Sequence, residues 1–401
     1  MAHIVVVGAG QAGQQLCATL RDQGFEGRIT LIGAEPVPPY QRPPLSKGYL
    51  LGEMTRERLF LRPDAWYADR GIELMLGAPV DRIDPGAKTV QVVDRVMEYD
   101  QLAIATGLAA RALSPEAGGD LENVFTIRTL ADVDALEGPL KSARRVLIVG
   151  GGYIGLEAAA VARKLGAEVD VVEAGPRILG RVASAQTADT MRALHRAHGV
   201  TIREGVALER LTGEGRVTGA VLGNGETLEA DVVIAGIGLL PRCAIAEAAG
   251  LETDGGVAVD AFGRTSDSHI WAAGDCASFL YRGERVRLES VQNAIDMGTA
   301  VARNMLGAAT PYVPMPWFWS DQYDVKLQIA GLNTGYDRVV TRGEGAAISH
   351  WYFYGDDLRA VDAIGDTRAY MVGKRLLDMG KTVSPQALAD PATDLKALLK
   401  A

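Results

Sequence analysis

The sequence predicts an α/β protein with two Rossmann-like dinucleotide-binding domains, followed by a C-terminal α+β domain. Three observations support this fold class: two copies of a glycine-rich fingerprint, an apolar strand before each copy, and an alternating apolar pattern near the C-terminus. The chain of 401 residues is long enough for two to four domains of about 100–200 residues each. With 48% hydrophobic and 23% charged residues, it has the composition of a globular protein with buried cores.

The first fingerprint lies at the N-terminus. An apolar strand at 3–7 leads into the segment Gly8-Ala9-Gly10-Gln11-Ala12-Gly13, and Glu35 closes the next apolar run. In this motif the glycines allow a tight turn and close backbone approach, the helix N-terminus faces a pyrophosphate, and the acid accepts a ribose hydroxyl. Glycines alone would also fit an ordinary strand-to-helix turn. Strand, glycines and acid at the expected spacing predict a bound dinucleotide.

A proline-rich segment follows at 36–47, where the density of prolines excludes a regular helix or central strand and predicts a rigid, extended backbone. Apolar strands are predicted near 72–76 and 89–93, and another ends in Ala105-Thr106-Gly107. A strand ending in these small residues can bring its backbone close to a ligand. That is the edge at which open α/β sheets bind.

The second fingerprint repeats the first. An apolar strand at 146–149 leads into Gly150-Gly151-Gly152-Tyr153-Ile154-Gly155, and Glu173 closes the following strand. The strands of this unit return over 227–235 and end in Gly236-Ile237-Gly238. A second dinucleotide is therefore predicted.

The pattern changes after residue 240. A short apolar strand at 268–275 carries Asp275 at its tip, where the carboxylate could accept a hydroxyl of a ligand or cap a helix. Helical pattern covers 290–304 and 369–378, and strands at 326–329, 337–342, 346–354 and 358–362 alternate like an antiparallel sheet. We predict four segments: 1–112 and 241–314 as two parts of one domain, 113–240 as the second domain and 315–401 as the third.

Composition excludes several classes of function. A formal net charge of -9 argues against nucleic acid as a partner. The chain enters a core strand without a leader and has no apolar run of about 18 residues, which predicts a cytoplasmic protein that does not contact a membrane. Cys17, Cys243 and Cys276 form no CxxC pair and are interpreted as small buried residues. His195 and His198 are interpreted as a solvated helix end, so no metal site is predicted.

With these motifs in hand, the chain resembles the FAD-dependent ferredoxin reductases that serve bacterial cytochrome P450s and Rieske dioxygenases. The resemblance covers essentially the whole chain and rests on the order of its motifs. These are the two fingerprints, Arg42-Pro43-Pro44-Leu45-Ser46-Lys47, Ala105-Thr106-Gly107, Gly155-Leu156-Glu157, Gly274-Asp275, Glu289-Ser290-Val291-Gln292-Asn293-Ala294 and Pro316-Trp317-Phe318-Trp319-Ser320-Asp321-Gln322.

The resemblance implies a glutathione-reductase-like fold, with an NAD domain inserted between two parts of an FAD domain and a C-terminal domain over the flavin. Lys47 and Glu157 match a pair near flavin N5, Trp319 is expected beside the flavin ring, and these three are the expected catalytic residues. Tyr153 is expected to gate the nicotinamide position. The expected FAD contacts are Gly8, Gly10, Ala12, Gly13, Glu35, Arg42, Lys47, Val80, Ala105, Thr106, Gly107, Arg128, Asp275, Val291 and Trp319. The expected NAD contacts are Gly150, Gly152, Tyr153, Ile154, Gly155, Glu173, Gly236 and Gly238.

The implied reaction moves a hydride from NADH to FAD and then single electrons to a [2Fe–2S] ferredoxin that supplies an oxygenase. Glu173 favours NADH over NADPH because a carboxylate repels a 2′-phosphate. An acidic ferredoxin is expected to dock near the flavin edge on Arg285, Arg287, Arg303 and Lys326. Two alternatives stay open: a flavin NADH oxidase or nitrite-reductase-like electron donor, and a non-enzymatic flavoprotein resembling apoptosis-inducing factor. The oligomeric state, monomer or weak dimer, also stays open.

Overall fold

The computed structural model describes residues 1–400 and contains nine α-helices and twenty-six β-strands in that part of the chain. The helices are α1 Gln11–Asp22, α2 Asp64–Asp69, α3 Leu130–Ser142, α4 Tyr153–Lys164, α5 Ala185–Ala197, α6 Ala244–Ala248, α7 Val291–Met305, α8 Thr367–Asp378 and α9 Pro385–Ala389. The strands are β1 His3–Val7, β2 Arg28–Ile32, β3 Ile72–Met75, β4 Val80–Asp84, β5 Thr89–Val92, β6 Arg95–Glu98, β7 Gln101–Ile104, β8 Leu108–Ala110, β9 Val124–Phe125, β10 Arg145–Val149, β11 Glu168–Glu173, β12 Val200–Glu204, β13 Leu208–Thr212, β14 Gly219–Leu222, β15 Thr227–Glu229, β16 Val232–Ala235, β17 Leu239–Pro241, β18 Val257–Ala258, β19 Ile270–Ala272, β20 Ala277–Tyr281, β21 Glu284–Val286, β22 Trp317–Gln322, β23 Val325–Gly331, β24 Arg338–Glu344, β25 Ala347–Tyr354 and β26 Asp357–Ile364.

The chain divides into two compact units, each built from three stretches. The first unit comprises Met1–Gln41, Arg56–Ala109 and Leu240–Pro316, and the second comprises Arg42–Thr55, Ala110–Leu239 and the residues from Trp317 onward.

The first unit is organised on a five-stranded parallel sheet with the order β19-β7-β1-β2-β3. Strand β1 lies at its centre and is buried along its whole length, as its unbroken apolar sequence predicts for a parallel sheet covered on both faces. Helix α1 follows directly and packs against α7. Two three-stranded sheets, β4-β5-β6 and β18-β20-β21, belong to the same unit.

The second unit contains a second five-stranded parallel sheet, with the order β12-β11-β10-β16-β9. A small antiparallel sheet, β13-β14-β15, packs its apolar side chains with those of β10 and β16 in one core. The C-terminal part is a five-stranded antiparallel sheet, β22-β23-β26-β25-β24, whose core includes residues of α8 and α9. Two Rossmann-like sheets and a C-terminal antiparallel sheet confirm the predicted fold class.

Part of the proline-rich segment at 36–47 departs from the prediction made for it. Instead of remaining extended, Pro43–Ser46 forms one 3₁₀ turn, with Pro43 and Pro44 at its first two positions. Proline is compatible with the first turn of a helix because the amide it lacks has no partner there. The turn packs against α3 and α4 of the second unit. Prediction of an extended backbone at these residues was therefore wrong.

Candidate active site

The first fingerprint is a turn in which two glycines are required by the protein itself. Gly8 has a φ of +120°, and a Cβ there would lie 2.1 Å from the Ala105 carbonyl oxygen. A Cβ on Gly13 would lie 2.0 Å from the carbonyl oxygen of Gly8. Both contacts are shorter than any side chain allows, so the turn and the end of β7 approach each other only because these residues are glycines.

Gly10 differs from these two glycines because no atom lies within 4 Å of where its Cβ would stand. It occupies the N-cap position of α1, where no side chain caps the helix and no acid lies in the first turn. Uncapped amides at a helix N-terminus attract anions. An open cradle with these donors fits the pyrophosphate of a dinucleotide, as the first fingerprint predicts.

Other expected FAD residues of the first unit lie at strand or helix ends. Glu35 follows β2 and accepts a hydrogen bond from the Tyr40 hydroxyl at 2.6 Å. Thr106 follows β7, and its hydroxyl donates to the Arg242 carbonyl at 2.8 Å. The remaining members are Ala12 in α1, Val80 at the start of β4, Ala105 and Gly107 after β7, Asp275 after β19 and Val291 at the start of α7.

The second fingerprint has the same construction in the second unit. Gly150 has a φ of +105°, and its Cβ would lie 2.4 Å from the Gly236 carbonyl oxygen. A Cβ on Gly155 would lie 2.1 Å from the Gly150 carbonyl oxygen. Gly152 is the uncapped N-cap of α4 and has open space where a Cβ would stand. The loop thus offers a second anion cradle of the kind that NAD requires.

Glu173 supports the loop of this fingerprint directly. One carboxylate oxygen accepts the Gly151 amide at 2.7 Å, and the other accepts the Gly175 amide at 2.6 Å. Nearby, Gly238 has a φ of +112°, and the Arg181 guanidinium lies 3.4 Å from where its Cβ would stand. Glu173 therefore fixes the shape of the glycine loop.

A buried ion pair joins two distant parts of the sequence. Lys47 Nζ lies 2.7 Å from Glu157 Oε2, with only 4% of the Glu157 side chain exposed. Ser46 Oγ donates to Oε2 at 2.5 Å, and Ser320 Oγ donates to Oε1 at 2.6 Å. Helix α4 carries Glu157 and packs against both the 3₁₀ turn and β22, which brings the three donors to one carboxylate. These three donors fix the Glu157 carboxylate in position.

Arg42 and Arg128, two expected FAD contacts of the second unit, are brought together in the same way. Arg42 Nη1 donates to the Arg128 carbonyl at 2.6 Å. The arginine that opens the proline-rich segment thus anchors it next to the start of α3.

An aromatic row runs from α4 along β22. The ring of Tyr153 lies 4.9 Å from that of Phe318, and Trp319 lies 6.4 Å from Phe318 and 5.5 Å from Trp317, measured between centroids. The hydroxyl of Tyr153 is buried without a hydrogen-bond partner. Burial raises the pKa of Tyr153 well above its ordinary value, and the neighbouring Asp362 adds to the effect. These rings lie near the Lys47–Glu157 pair and form an aromatic cluster in which neighbouring rings are tilted by 31–41° to each other.

The predictions for cysteine and histidine are partly confirmed. All three cysteines are buried thiols without a disulfide, as predicted. His198 is exposed at the end of α5, as predicted, but the prediction of a solvated position was wrong for His195, which is fully buried. Within residues 1–400 no group of three or more His, Cys, Asp or Glu side chains is arranged to hold a metal ion.

Two family models cover this architecture. A model for pyridine nucleotide-disulphide oxidoreductases matches residues 2–298, and a reductase C-terminal model matches residues 317–399. A ferredoxin–NAD(P)(+) reductase of a Sphingomonas species is 44% identical, over 98% of this chain and 96% of its own. Rhodocoxin reductase of Rhodococcus erythropolis is 41% identical, over 98% and 93% of the two chains. The chain belongs to the ferredoxin reductase family.

Solved structures of the ferredoxin reductase family agree with this assignment. The ferredoxin reductase for the CYP199A2 system from Rhodopseudomonas palustris has a TM-score of 0.96 and 39% identity, and covers 99% of both chains. The covalent putidaredoxin reductase–putidaredoxin complex gives a TM-score of 0.96 at 38% identity, over 100% of this chain and 98% of the reductase.

The sequence analysis missed several residues of this candidate site. Ser46, Ser320 and Gln322 are buried polar residues beside Glu157, and Asp362 is buried near Tyr153. For two of these residues, the sequence pattern could have predicted a role. Ser320 and Gln322 are two residues apart in a strand of aromatic residues, so they share one face, and polar side chains on a buried face require partners.

Proposed function

We propose that this protein is an NADH-dependent ferredoxin reductase that supplies electrons to a cytochrome P450 or a Rieske-type oxygenase. The observation that carries the proposal is the Lys47–Glu157 ion pair. Tyr153 lies one turn before Glu157 on α4, and Trp319 precedes Ser320, which donates to Glu157. The same chain has two glycine loops with open space for a dinucleotide. The names of its relatives support the same reaction, including a ferredoxin reductase subunit of a demethylase and one of an anthranilate 1,2-dioxygenase system. A cytoplasmic location is part of the proposal; no helix among residues 1–400 is long and apolar enough to span a membrane.

FAD, when bound, accepts the two electrons of a hydride together and releases them one at a time, which a [2Fe–2S] acceptor requires. The first-unit fingerprint would hold its pyrophosphate, with Glu35 on the ribose. Lys47 would present its side-chain nitrogen to the flavin, and Glu157 would hold that nitrogen in place. The aromatic row excludes water from the same surface.

The cysteines favour electron export over thiol chemistry. Burial raises the pKa of Cys17 to about 12 and that of Cys243 to about 11, and it also raises the pKa of Cys276. Thiols with such values stay protonated at neutral pH and are poor nucleophiles. Some relatives reduce disulfides or peroxides with a reactive cysteine. None of these three cysteines is suited to that role.

The coenzyme is proposed to be NADH rather than NADPH because of Glu173. Its carboxylate repels a 2′-phosphate and accepts a 2′-hydroxyl, a hydrogen bond to a charged group worth about 1.5–3 kcal/mol. We expect Glu173→Ala to lower the ratio of kcat/KM for NADH to that for NADPH by about tenfold or more. Both coenzymes also lose the support that Glu173 gives to the loop, so the ratio is the measurement that decides. An unchanged ratio would contradict the assignment.

The reaction itself is tested by pairing the FAD-loaded protein with [2Fe–2S] ferredoxins from its own genome. Cytochrome c reduction is measured with NADH, with and without each ferredoxin, and oxygen consumption is followed in parallel. We expect at least one ferredoxin to be reduced much faster than oxygen. If oxygen is the better acceptor in every case, the NADH oxidase alternative replaces the proposal.

A further inference from the structure

A continuous chain of hydrogen bonds leads from the Lys47–Glu157 pair to the surface of the second unit. The relay chain, as we name it, consists of Glu157, Ser320, Gln322, His195 and Tyr323. Ser320 Oγ donates to Glu157 Oε1 at 2.6 Å, and Gln322 Nε2 donates to Ser320 Oγ at 3.0 Å. His195 Nε2 lies 2.7 Å from Gln322 Oε1, and the Tyr323 hydroxyl lies 3.2 Å from His195 Nδ1. All members except Tyr323 are buried.

All hydrogen bonds of the relay chain run in the same direction. Burial lowers the pKa of His195 to about 4, so at neutral pH its ring carries a single N–H. A carboxylate can only accept, so Ser320 must donate to Glu157, and its oxygen then accepts from the amide of Gln322. The carbonyl end of Gln322 accordingly accepts the N–H of His195, and the free ring nitrogen accepts the hydroxyl of Tyr323. Every donor therefore points toward Glu157.

The outer end of the relay chain is held at the expense of backbone strain. Tyr323 is the first of two residues that join β22 to β23, and its φ is +58°, in the left-handed region that disfavours a bulky residue. Its ring stacks on His198, with centroids 3.6 Å apart, while its hydroxyl reaches His195. Strain that persists at one residue usually has a compensating contact. Here the contact is the one that orients the imidazole.

We propose that His195 is a positioning residue of the reaction, which acts through Gln322 and Ser320 to hold the Glu157 carboxylate as a fixed acceptor against Lys47. The polarity of the relay chain follows from the hydrogen bonds and the neutral ring of His195, whereas its effect on FAD rests on the proposed function. Two members of the relay chain, Ser320 and Gln322, lie between His195 and Glu157, so His195 does not touch the reacting atoms.

The amide of Gln322 distinguishes this role from proton conduction. Its nitrogen and oxygen ends are different groups, so the relay chain reverses its polarity only if the amide rotates and His195 changes tautomer. A proton leaving Glu157 would need both changes in one turnover. The relay chain therefore resists a change in the state of Glu157 rather than carrying a proton away from it.

The test uses the reduction midpoint potential of bound FAD, measured by redox titration in His195→Phe. Once the relay chain is broken, the Glu157 carboxylate is held less firmly against Lys47, so its negative charge offsets that of the Lys47 ammonium less and opposes reduction of the flavin less. We expect the reduction equilibrium constant to rise by about tenfold, or about 30 mV for two electrons. His195→Gln retains an N–H donor and is expected to restore most of the original potential. The control is His198→Phe on the same helix, which keeps the stacked ring but lies outside the relay chain; we expect no change.

A double-mutant cycle with Glu157→Gln separates this role from general packing. In the Glu157→Gln background, His195→Phe should leave the potential unchanged because no carboxylate remains to be held. An equal shift in both backgrounds, or no shift in either, overturns the proposal. If His195→Phe does not fold, Gln322→Met is placed in the same cycle, since it keeps the shape of the side chain and removes both bonds. The titration needs bound FAD but no ferredoxin, so its outcome is separate from that of the ferredoxin assay.

Discussion

At the scale of single residues, substitution of Gly10 or Gly152 can distinguish what the fold requires from what the ligand requires, because no atom lies within 4 Å of either Cβ position. Gly155→Ala would place a methyl group against a backbone oxygen, whereas Gly152→Ala meets no atom within 4 Å. We expect Gly152→Ala to reduce the free energy of unfolding by less than about 1 kcal/mol, the difference between glycine and alanine as N-cap. We also expect the Kd for NADH to rise by about tenfold or more, because the methyl group fills the space a pyrophosphate needs. Urea unfolding and coenzyme titration measure the two effects; unchanged NADH affinity would argue against a pyrophosphate at this loop.

A second residue-scale prediction concerns pH. Asp362 is buried, accepts hydrogen bonds from Tyr352 and Thr187, and has one oxygen without a partner. Burial raises its pKa from 3.8 to about 6. Between these values the folded protein binds more protons than the unfolded chain, so this group lowers stability as pH rises, and the loss is complete above about pH 6. The full effect is about 2–3 kcal/mol.

We expect Asp362→Asn to remove this pH dependence. Between about pH 4 and about pH 8, the free energy of unfolding of the variant should gain about 2–3 kcal/mol relative to the unmutated protein. The buried His195 and His350, whose pKa values are lowered to about 4, act in the opposite direction in both proteins and cancel in the difference. Urea unfolding at both pH values is the measurement. A parallel pH dependence in the two proteins would show that Asp362 is not the group responsible.

At the scale of elements, the connection between β22 and β23 tests whether Tyr323 carries strain. Glycine adopts a φ of +58° without a steric penalty, whereas alanine does not. We expect Tyr323→Ala to be less stable than Tyr323→Gly by about 1 kcal/mol, the reverse of their order in ordinary extended backbone. Both should be less stable than the unmutated protein, because both lose the stack on His198. Equal stabilities of the two variants in urea unfolding would mean that the turn relaxes.

Elements were predictable from the sequence where their requirements are local. Both glycine loops are recognised by the spacing of glycines within six residues, and the C-terminal strands are recognised by alternation along each strand. The 3₁₀ turn at Pro43–Ser46 was missed because prolines exclude a long helix without excluding a first turn. His195 was misplaced although Met191 and Thr187, one and two turns earlier, share its buried face of α5. The spacing of four residues from Thr187 to Met191 to His195 would have predicted that His195 is buried.

At the scale of the whole molecule, the site around Glu157 shows what a local pattern cannot supply. Its partners come from residues 46–47 and 320, and neither spacing nor periodicity relates them to α4. Only the resemblance to a family linked Lys47 with Glu157, and the serines appear only when the fold is known. The four predicted segments and the individual FAD and NAD contacts remain predictions.

Net charge leads to a prediction about association with the ferredoxin. The molecule carries a formal charge of -9, so an acidic partner is repelled at long range unless a positive patch dominates. Of the four residues predicted for that patch, Arg285 and Arg287 are paired with Asp254 and Glu289 and bind backbone carbonyls, which makes them unsuitable for charge reversal. Arg303 is exposed on α7 and is the better target.

We expect ferredoxin reduction to slow as ionic strength rises, since salt screens the local attraction. Arg303→Glu should reduce the rate at low salt by severalfold and flatten the salt dependence. Arg196→Glu, on the exposed side of α5, changes the net charge equally and serves as the control. Stopped-flow reduction at several salt concentrations gives both slopes. A rate that increases with salt would mean that net repulsion dominates and no such patch exists.

The bonds of Glu173 limit how the coenzyme preference of this enzyme can be engineered. Replacement of this acid by a basic residue is the direct route to NADPH use, since it exchanges repulsion of the 2′-phosphate for attraction. The same carboxylate also holds the amides of Gly151 and Gly175, so the exchange would release the glycine loop that both coenzymes need. A redesign for NADPH therefore has to provide new acceptors for these two amides before it changes the sign of the charge.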